Sequence, residues 1–302
     1  MTLQELKYLV ALADHGHFGR AAAACHISQS TFSTQIKKLE NFLGVTLFDR
    51  SLKRVTPTAT GVEILAAARN VVEETERIRA LAKHGQDPMV RTVHLGVIPT
   101  LGPYYLPHAL SVMRKAHPQL RLLLREEMTA QILEHLADGK LDAGLIALPL
   151  MEDTLRAEPL FYEPFFAALP TDHPLTKNKN LKVCDIMTEN LMLLDEGHCL
   201  REQALSVCGT GYNNREEVRA TSLETLRQMV GMGLGITLLP ALAVEVGSRQ
   251  TQKTVAIRPF KTPPPGRTIG LVWRKRAPSP ETFTRMAQTL KQFLPREVDA
   301  AR

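Results

Sequence analysis

Ser28-Gln-Ser-Thr-Phe-Ser-Thr-Gln-Ile-Lys-Lys-Leu-Glu-Asn-Phe-Leu-Gly44 reads as a helix with two unlike faces. Phe32, Ile36, Leu39 and Leu43 recur at helical spacing as one apolar stripe, while Gln29, Ser30, Ser33, Thr34 and Lys37 line the polar side. Ser28 is a good N-cap and Gly44 a good stop. Just upstream, Phe18–Cys25 is a short alanine-rich helix that His26-Ile27 turns into the cap. Leu6, Leu9, Val10 and Ala13 mark an earlier helix ending at Gly16. Two short helices across a tight turn, the second polar outward and apolar inward, predict a helix-turn-helix. A helical oligomerisation module with a solvated polar face is the competing reading.

After Gly44 the segment Val45–Thr56 alternates like a strand pair, with Arg50, Lys53 and Arg54 around its bend, which predicts a wing. Residues 1–58 carry seven Lys/Arg against four Asp/Glu. Double-stranded DNA is the partner such a face fits. Gln29, Ser30, Ser33 and Thr34 are placed for base edges, and Lys37, Arg50, Lys53 and Arg54 for phosphates. Thr56-Pro57 has the cap-and-proline signature of a helix start. From there Val62, Leu65, Ala68, Val72, Ile78 and Leu81 give an apolar stripe to about His84. Roughly 28 residues at ~1.5 Å each make a rod of about 42 Å. Its stripe needs a cover, and a second copy of the chain is the simplest one.

From Val90 the pattern changes to strands alternating with helices: Val93–Ile98, Leu120–Glu126, Ala143–Leu148, Phe165–Leu169, Leu191–Leu194, Ile236–Leu239 and Ile269–Trp273, with a last helix over about Pro280–Leu294. The expected architecture is α/β: a winged helix-turn-helix over 1–58, a linker and dimerisation helix over 59–89, and a regulatory domain over 90–302. That domain is expected to have a mainly parallel sheet and two lobes, roughly 90–163 with 268–302, and 164–267.

The 302 residues are enough to bury a large core, and the 44% hydrophobic and 23% charged content is that of an ordinary globular protein. No apolar run approaches ~18 residues, so no membrane span is expected. No basic, cleavable leader precedes the first helix, so a cytoplasmic location is expected. A net charge of +6 favours an anionic partner. There is no Ser/His/Asp triad, no clustered metal-ligand spacing and no phosphate loop, and no cofactor is expected; Cys-x8-Cys is poor for zinc. Gly233-Leu-Gly-Ile-Thr-Leu-Leu-Pro240 is a helix-to-strand turn with structural glycines.

Four cysteines in a chain this long are not a disulfide scaffold. Cys25 reads as a small buried hydrophobe and Cys184 as structural. Cys199 differs, because His198 precedes it, Arg201 follows closely, and Gly197 breaks the chain before a run of helical character that puts Cys199 near a helix start. Cations and helix N-termini favour the thiolate, the reactive form. If the helix reaches Cys208, nine residues at ~1.5 Å each put the two sulfurs about 13 Å apart on opposite faces. A disulfide tolerates Cα atoms no more than ~7 Å apart. Joining Cys199 to Cys208 therefore requires this segment to refold, which describes a redox switch; an incidental thiol is the plainer reading. Thr100 and Thr129 follow strands at strand-to-helix turns, where α/β sheets place ligands, although either could equally cap its helix.

At this point the sequence resembles the LysR-type transcriptional regulators over nearly its whole length. Ser28-Gln-Ser-Thr31, Ile36-Lys-Lys-Leu-Glu40, Leu43-Gly-Val45, Leu47-Phe-Asp-Arg50 and Thr56-Pro-Thr58 with Gly61 carry the DNA-binding part. A narrower likeness, to the peroxide-sensing branch of that family, rests on Gly96-Val-Ile-Pro-Thr-Leu-Gly-Pro103, Asp195-Glu-Gly-His-Cys-Leu-Arg201, Cys208, Arg219-Ala-Thr-Ser-Leu-Glu-Thr-Leu226 and Arg267-Thr-Ile-Gly-Leu-Val272.

The resemblance implies a periplasmic-binding-protein-like regulatory domain, dimers through the long helix, tetramers on DNA, and RNA polymerase as a further partner. It implies that Cys199 reacts with hydrogen peroxide, that Cys208 resolves the product, and that Thr100, Thr129, His198 and Arg267 surround the peroxide. On this reading the chain is a regulator of antioxidant genes and not an enzyme. Two alternatives stand beside it: a LysR-type regulator gated by a small metabolite in the interlobe cleft, with inert cysteines, and a thiol peroxidase carrying a DNA-binding-like domain.

Overall fold

A computed structural model of the chain describes residues 1–50, 54–82, 87–208, 220–244 and 254–301. Lys53, His84 and Arg219 lie outside the described residues, as does the side chain of Cys208. The chain divides into two compact units, Met1–Gln86 with Arg276–Ser279, and Asp87–Lys275 with Pro280–Arg302.

In the first unit, α1 (Leu3–His15), α2 (Phe18–Ala24) and α3 (Gln29–Leu43) are each fixed by a local cap. Thr2 and Glu5 form a reciprocal capping box on α1, and Gly16 ends it in the left-handed region at φ +59°. The Ser28 hydroxyl accepts from the Thr31 N–H at 3.2 Å and starts α3. Phe32 and Ile36 are fully buried and Leu39 nearly so, packing with Leu9, Leu12, Leu47 and Phe48. Tyr8 and Phe18 close on the Phe32 ring, with centroids at 5.3 and 6.2 Å. The helix-turn-helix is thus built by the stripe read from the sequence.

The wing is a two-stranded antiparallel ladder, β1 (Phe48–Asp49) with β2 (Thr56–Pro57). This corrects the expected start of the long helix. Thr56 and Pro57 are taken by the ladder, and α4 (Ala59–Ala82) begins after Thr58, whose hydroxyl accepts from the Gly61 N–H at 3.0 Å. A side chain at Gly61 would run into the Leu47 carbonyl oxygen, so the helix can pass this close to the wing only with glycine. The apolar stripe of α4 also splits. Ala68 is buried and Leu65 and Val72 pack on the unit's own core, while Val62, Val71 and Ile78 are exposed. Arg69 ties α4 to α1 through Asp14 at 2.5 Å.

The second unit is α/β, but its sheet is mixed where mainly parallel pairing was expected. β3 (Thr92–Val97) pairs in parallel with β4 (Arg121–Glu126) and β5 (Ala143–Leu148). β9 (Gly266–Arg274) then runs antiparallel between β5 and the 16-residue strand β6 (Leu155–Pro170). Helices α5 (Gly102–Ala116) and α6 (Thr129–Ala137) connect the parallel strands. The cause of the mixing is β6. Its first part pairs with β9, and from Phe165 on it pairs with β7 (Thr237–Pro240) and β8 (Val255–Pro259), so one strand serves both lobes. Leu191–Leu194, expected as a strand, makes only isolated bridges at Leu191 and Leu194. The second lobe adds α7 (Cys199–Cys208), α8 (Leu223–Gly231) and the short α9 (Ala241–Val244). α10 (Pro280–Gln292) and the terminal strand β10 (Asp299–Ala300), which pairs with β6, complete the first. Among the described residues no helix is long and apolar enough to cross a membrane.

Candidate functional site

Cys199 is the first residue of α7 and half-buried. The loop before it is held from inside: the Arg201 guanidinium donates to the Leu194 carbonyl at 3.1 Å, and Leu200 and Ala204 pack into the second-lobe core. His198 is buried, and burial pushes its pKa below the usual 6.5 against the opposing pull of Asp195 and a hydrogen bond to the Thr221 backbone. Of the two cations expected beside Cys199, burial disfavours the charged form of His198, and the Arg201 guanidinium is committed to a carbonyl. Neutral His198 keeps Nδ1 buried and without a partner among the described residues.

Thr129 opens α6, and its Oγ1 is likewise buried and unpartnered among the described residues. Neither threonine caps its helix. Leu101 and Met128 hold the N-cap positions of α5 and α6, and neither accepts a side-chain cap hydrogen bond. The two loops approach each other, since a Cβ built on Gly197 would lie 4.0 Å from Met128 Cγ. Two unpaired polar atoms on adjoining loops, one a hydroxyl and one an imidazole nitrogen, suit a small ligand that both donates and accepts.

Thr100 and Arg267 are joined directly. Arg267 Nη1 donates to Thr100 Oγ1 at 2.8 Å and Nη2 to the Thr100 carbonyl at 3.0 Å. The third arm, Nε, meets Glu163 at 2.8 Å, and both partners of this ion pair have no exposed side-chain surface. Glu163 was not singled out from the sequence. The available signal was a carboxylate inside the apolar run Leu160-Phe-Tyr-Glu-Pro-Phe-Phe166, which is rare unless paired.

On the first unit, Gln29, Ser30, Thr34 and Lys37 are exposed along α3 and Ser33 is half-buried. The Thr34 hydroxyl donates back to the Ser30 carbonyl at 2.9 Å. Arg54 is exposed beside Gly16. Arg50 is less free than expected: it pairs with Glu40 at 2.6 Å and stacks over the Phe18 ring at 5.2 Å. Glu40 also accepts from the Leu47 N–H at 2.9 Å, so it docks the wing on α3. Among the described residues no cluster of His, Cys, Asp and Glu is placed to hold a metal ion.

A capped helix-turn-helix with a wing, followed by a two-lobed α/β unit, defines a class. Residues 3–62 match the bacterial regulatory helix-turn-helix protein, lysR family, and residues 86–295 match the LysR substrate binding domain. The chain belongs to the LysR family of bacterial regulators. Within it, the chain is 41% identical over 292 residues to the DNA-binding transcriptional dual regulator OxyR of Escherichia coli K12, covering 96% of this chain and 95% of the relative. It is similar to the structure of a full-length OxyR from Pseudomonas aeruginosa with an aspartate in place of a cysteine. That match has a TM-score of 0.86 and 39% identity, and covers 97% of this chain and 99% of that one. It is also similar to a peroxide-bound cysteine-to-serine variant of the Corynebacterium glutamicum OxyR, at a TM-score of 0.66 and 33% identity, covering 96% and 92% of the two chains.

Proposed function

We propose that the chain is a DNA-binding transcription regulator that senses hydrogen peroxide, which oxidises Cys199 and leaves a reversible Cys199–Cys208 disulfide. The observation that carries this is the position of Cys199 at the start of α7, next to a neutral, buried His198 whose Nδ1 has no partner among the described residues. The start of a helix is the positive end of its dipole, where an anionic sulfur is favoured. The Cys199 thiolate attacks one oxygen of the peroxide and the O–O bond breaks. Cys199 becomes a sulfenic acid and the departing hydroxide takes a proton to become water. The Cys208 thiol then displaces the sulfenic hydroxyl, forming the disulfide and a second water. Two electrons leave the sulfur pair and reduce one peroxide to two waters.

Thr100, Thr129, His198 and Arg267 serve this step as the polar surroundings of the peroxide, with Arg267 and the threonine hydroxyls stabilising charge on the departing oxygen. Cys199 and Cys208 stand at opposite ends of α7, nine residues and about 13 Å of helix apart. The bond cannot form until α7 unwinds, and this is what transmits oxidation to the rest of the molecule. DNA is bound through Gln29, Ser30, Ser33 and Thr34 at base edges and Lys37, Arg50, Lys53 and Arg54 at phosphates. Val71 and Ile78, seven residues apart and both exposed on α4, suit pairing with a second copy, with a homotetramer on DNA and contact with RNA polymerase as the assembled form. A cytoplasmic setting, where thiols are held reduced, lets the switch reset.

The test is Cys199→Ser in the full-length chain. The variant is expected to bind operator DNA as the reduced protein does and to show no change in footprint or mass after stoichiometric peroxide. A normal peroxide-dependent footprint from this variant refutes the assignment.

A further inference from the structure

We propose that Glu163 is a positioning residue for the peroxide reaction: its buried carboxylate aims the Arg267 guanidinium at Thr100 and so turns the Thr100 hydroxyl into a hydrogen-bond donor toward the peroxide. The inference rests on the reading of Cys199 as the peroxide-reacting thiol.

Glu163 and Arg267 face each other in the antiparallel register of β6 and β9. Beside this pair, Gly266 lies against the Glu163 carbonyl oxygen and the Tyr162 ring with no room for a side chain. Two residues further, at Phe165, β6 leaves β9 for the other lobe's strands, with the Phe165 N–H bonded to the Pro265 carbonyl at 2.7 Å. Glu163 therefore sits where the shared strand changes lobes. Its Oε2 accepts from Arg267 Nε at 2.8 Å and its Oε1 from the Leu242 N–H at the start of α9 at 3.1 Å. Through Arg267 the same carboxylate reaches Thr100 in the first lobe, so one buried anion ties a second-lobe helix to a first-lobe turn.

The chemistry follows from what each group can do. A guanidinium donates and never accepts, so Thr100 Oγ1 must be the acceptor in its 2.8 Å contact with Arg267. With that lone pair occupied, the hydroxyl proton of Thr100 is left to donate elsewhere. A donor of fixed direction is what an oxygen gaining negative charge needs as the O–O bond breaks. Arg267 can hold this pose only while a third contact fixes its plane, and the single charge-assisted bond from Nε to Glu163 Oε2 supplies it. Without the carboxylate the guanidinium is free to rotate about its stem, and the Thr100 proton loses its direction.

The experiment compares two rates on the full-length reduced protein: disulfide formation at limiting hydrogen peroxide, and alkylation of Cys199 by iodoacetamide. Alkylation needs an accessible thiol but no donor to a departing hydroxide. In Glu163→Gln the peroxide rate is expected to fall about tenfold or more, as misplacement of a reacting environment commonly costs. The iodoacetamide rate and DNA binding of the reduced form should stay within about twofold. In a Thr100→Val background the same change should cost no further peroxide rate, because the two act through one contact. An unchanged peroxide rate, a parallel fall in both rates, or full additivity with Thr100→Val overturns the proposal. If wild-type protein forms no disulfide at all, the reading of Cys199 fails and the proposal falls with it; a fast wild type beside an unaffected Glu163→Gln overturns the role of Glu163 alone. Should Glu163→Gln not fold, Glu163→Asp keeps the charge one methylene short and is judged by the same pair of rates.

Discussion

Arg267→Met isolates the energetic cost of the buried pair. The change removes three donated hydrogen bonds, two to Thr100 and one to Glu163, and leaves a carboxylate with no exposed surface and, among the described residues, only the Leu242 N–H as partner. Breaking a buried ion pair from one side typically costs about 3–5 kcal/mol, most of it from the stranded charge. Glu163→Leu should cost a similar amount. For a unit of this size each kcal/mol moves the midpoint by about 2–4 °C, so either single change should lower Tm by roughly 6–20 °C. The double variant removes both charges and leaves the Leu242 N–H and the Thr100 carbonyl unpaired, at a cost of about 1–3 kcal/mol each. The sum of the singles is thus expected to exceed the double by several kcal/mol. Urea unfolding of the reduced full-length protein reads this directly, because the single tryptophan, Trp273, is fully buried in the same strand as Arg267. A double variant as unstable as the two singles combined would refute the argument, since the pair would then not be coupled.

Two further outcomes follow from particular side chains. Lys37→Ala should weaken DNA binding equally across sequences and lower the salt slope by about one, whereas Arg50→Ala should lower it by less, because Glu40 already offsets that charge; loss of discrimination at a single base position would contradict a phosphate role for Lys37. The folded-state pKa of His198 lies below its ordinary value, so its contribution to stability is fully present above about pH 6.5 and is lost as the pH falls through the folded value; urea midpoints of wild type should decline in that window, and an undiminished decline in His198→Gln would show that another group is responsible.

The DNA-binding half was legible because its elements obey local rules. A 3.6-residue stripe, Ser28 as a cap and Gly44 as a stop all agree, and nothing distant competes with them. The start of α4 was misplaced because Thr56-Pro57 has the local look of a helix cap, while a ladder with Phe48 and Asp49 claims both residues. The length of β6 was hidden for a similar reason. Pro159 and Pro164 interrupt it, and prolines argue against a long interior strand unless, as here, it shifts register and changes partners beside them. At the site, Cys199, His198 and the two threonine turns could be read from spacing and neighbours. Glu163 could not, because its meaning depends on a cross-strand partner 104 positions away in the chain.

β6 also constrains how the regulatory unit can come apart. Because a single uninterrupted backbone contributes rungs to both sheets, neither half has a complete set of neighbours without the other. Their melting is therefore one event, with no state in which one half survives alone. Amide protons of residues 160–163 and 165–169 should be among the slowest to exchange in the whole chain. A genetic cut inside this stretch should destroy both halves at once, whereas a cut in the exposed Met151–Asp153 loop just before it leaves the shared rungs intact.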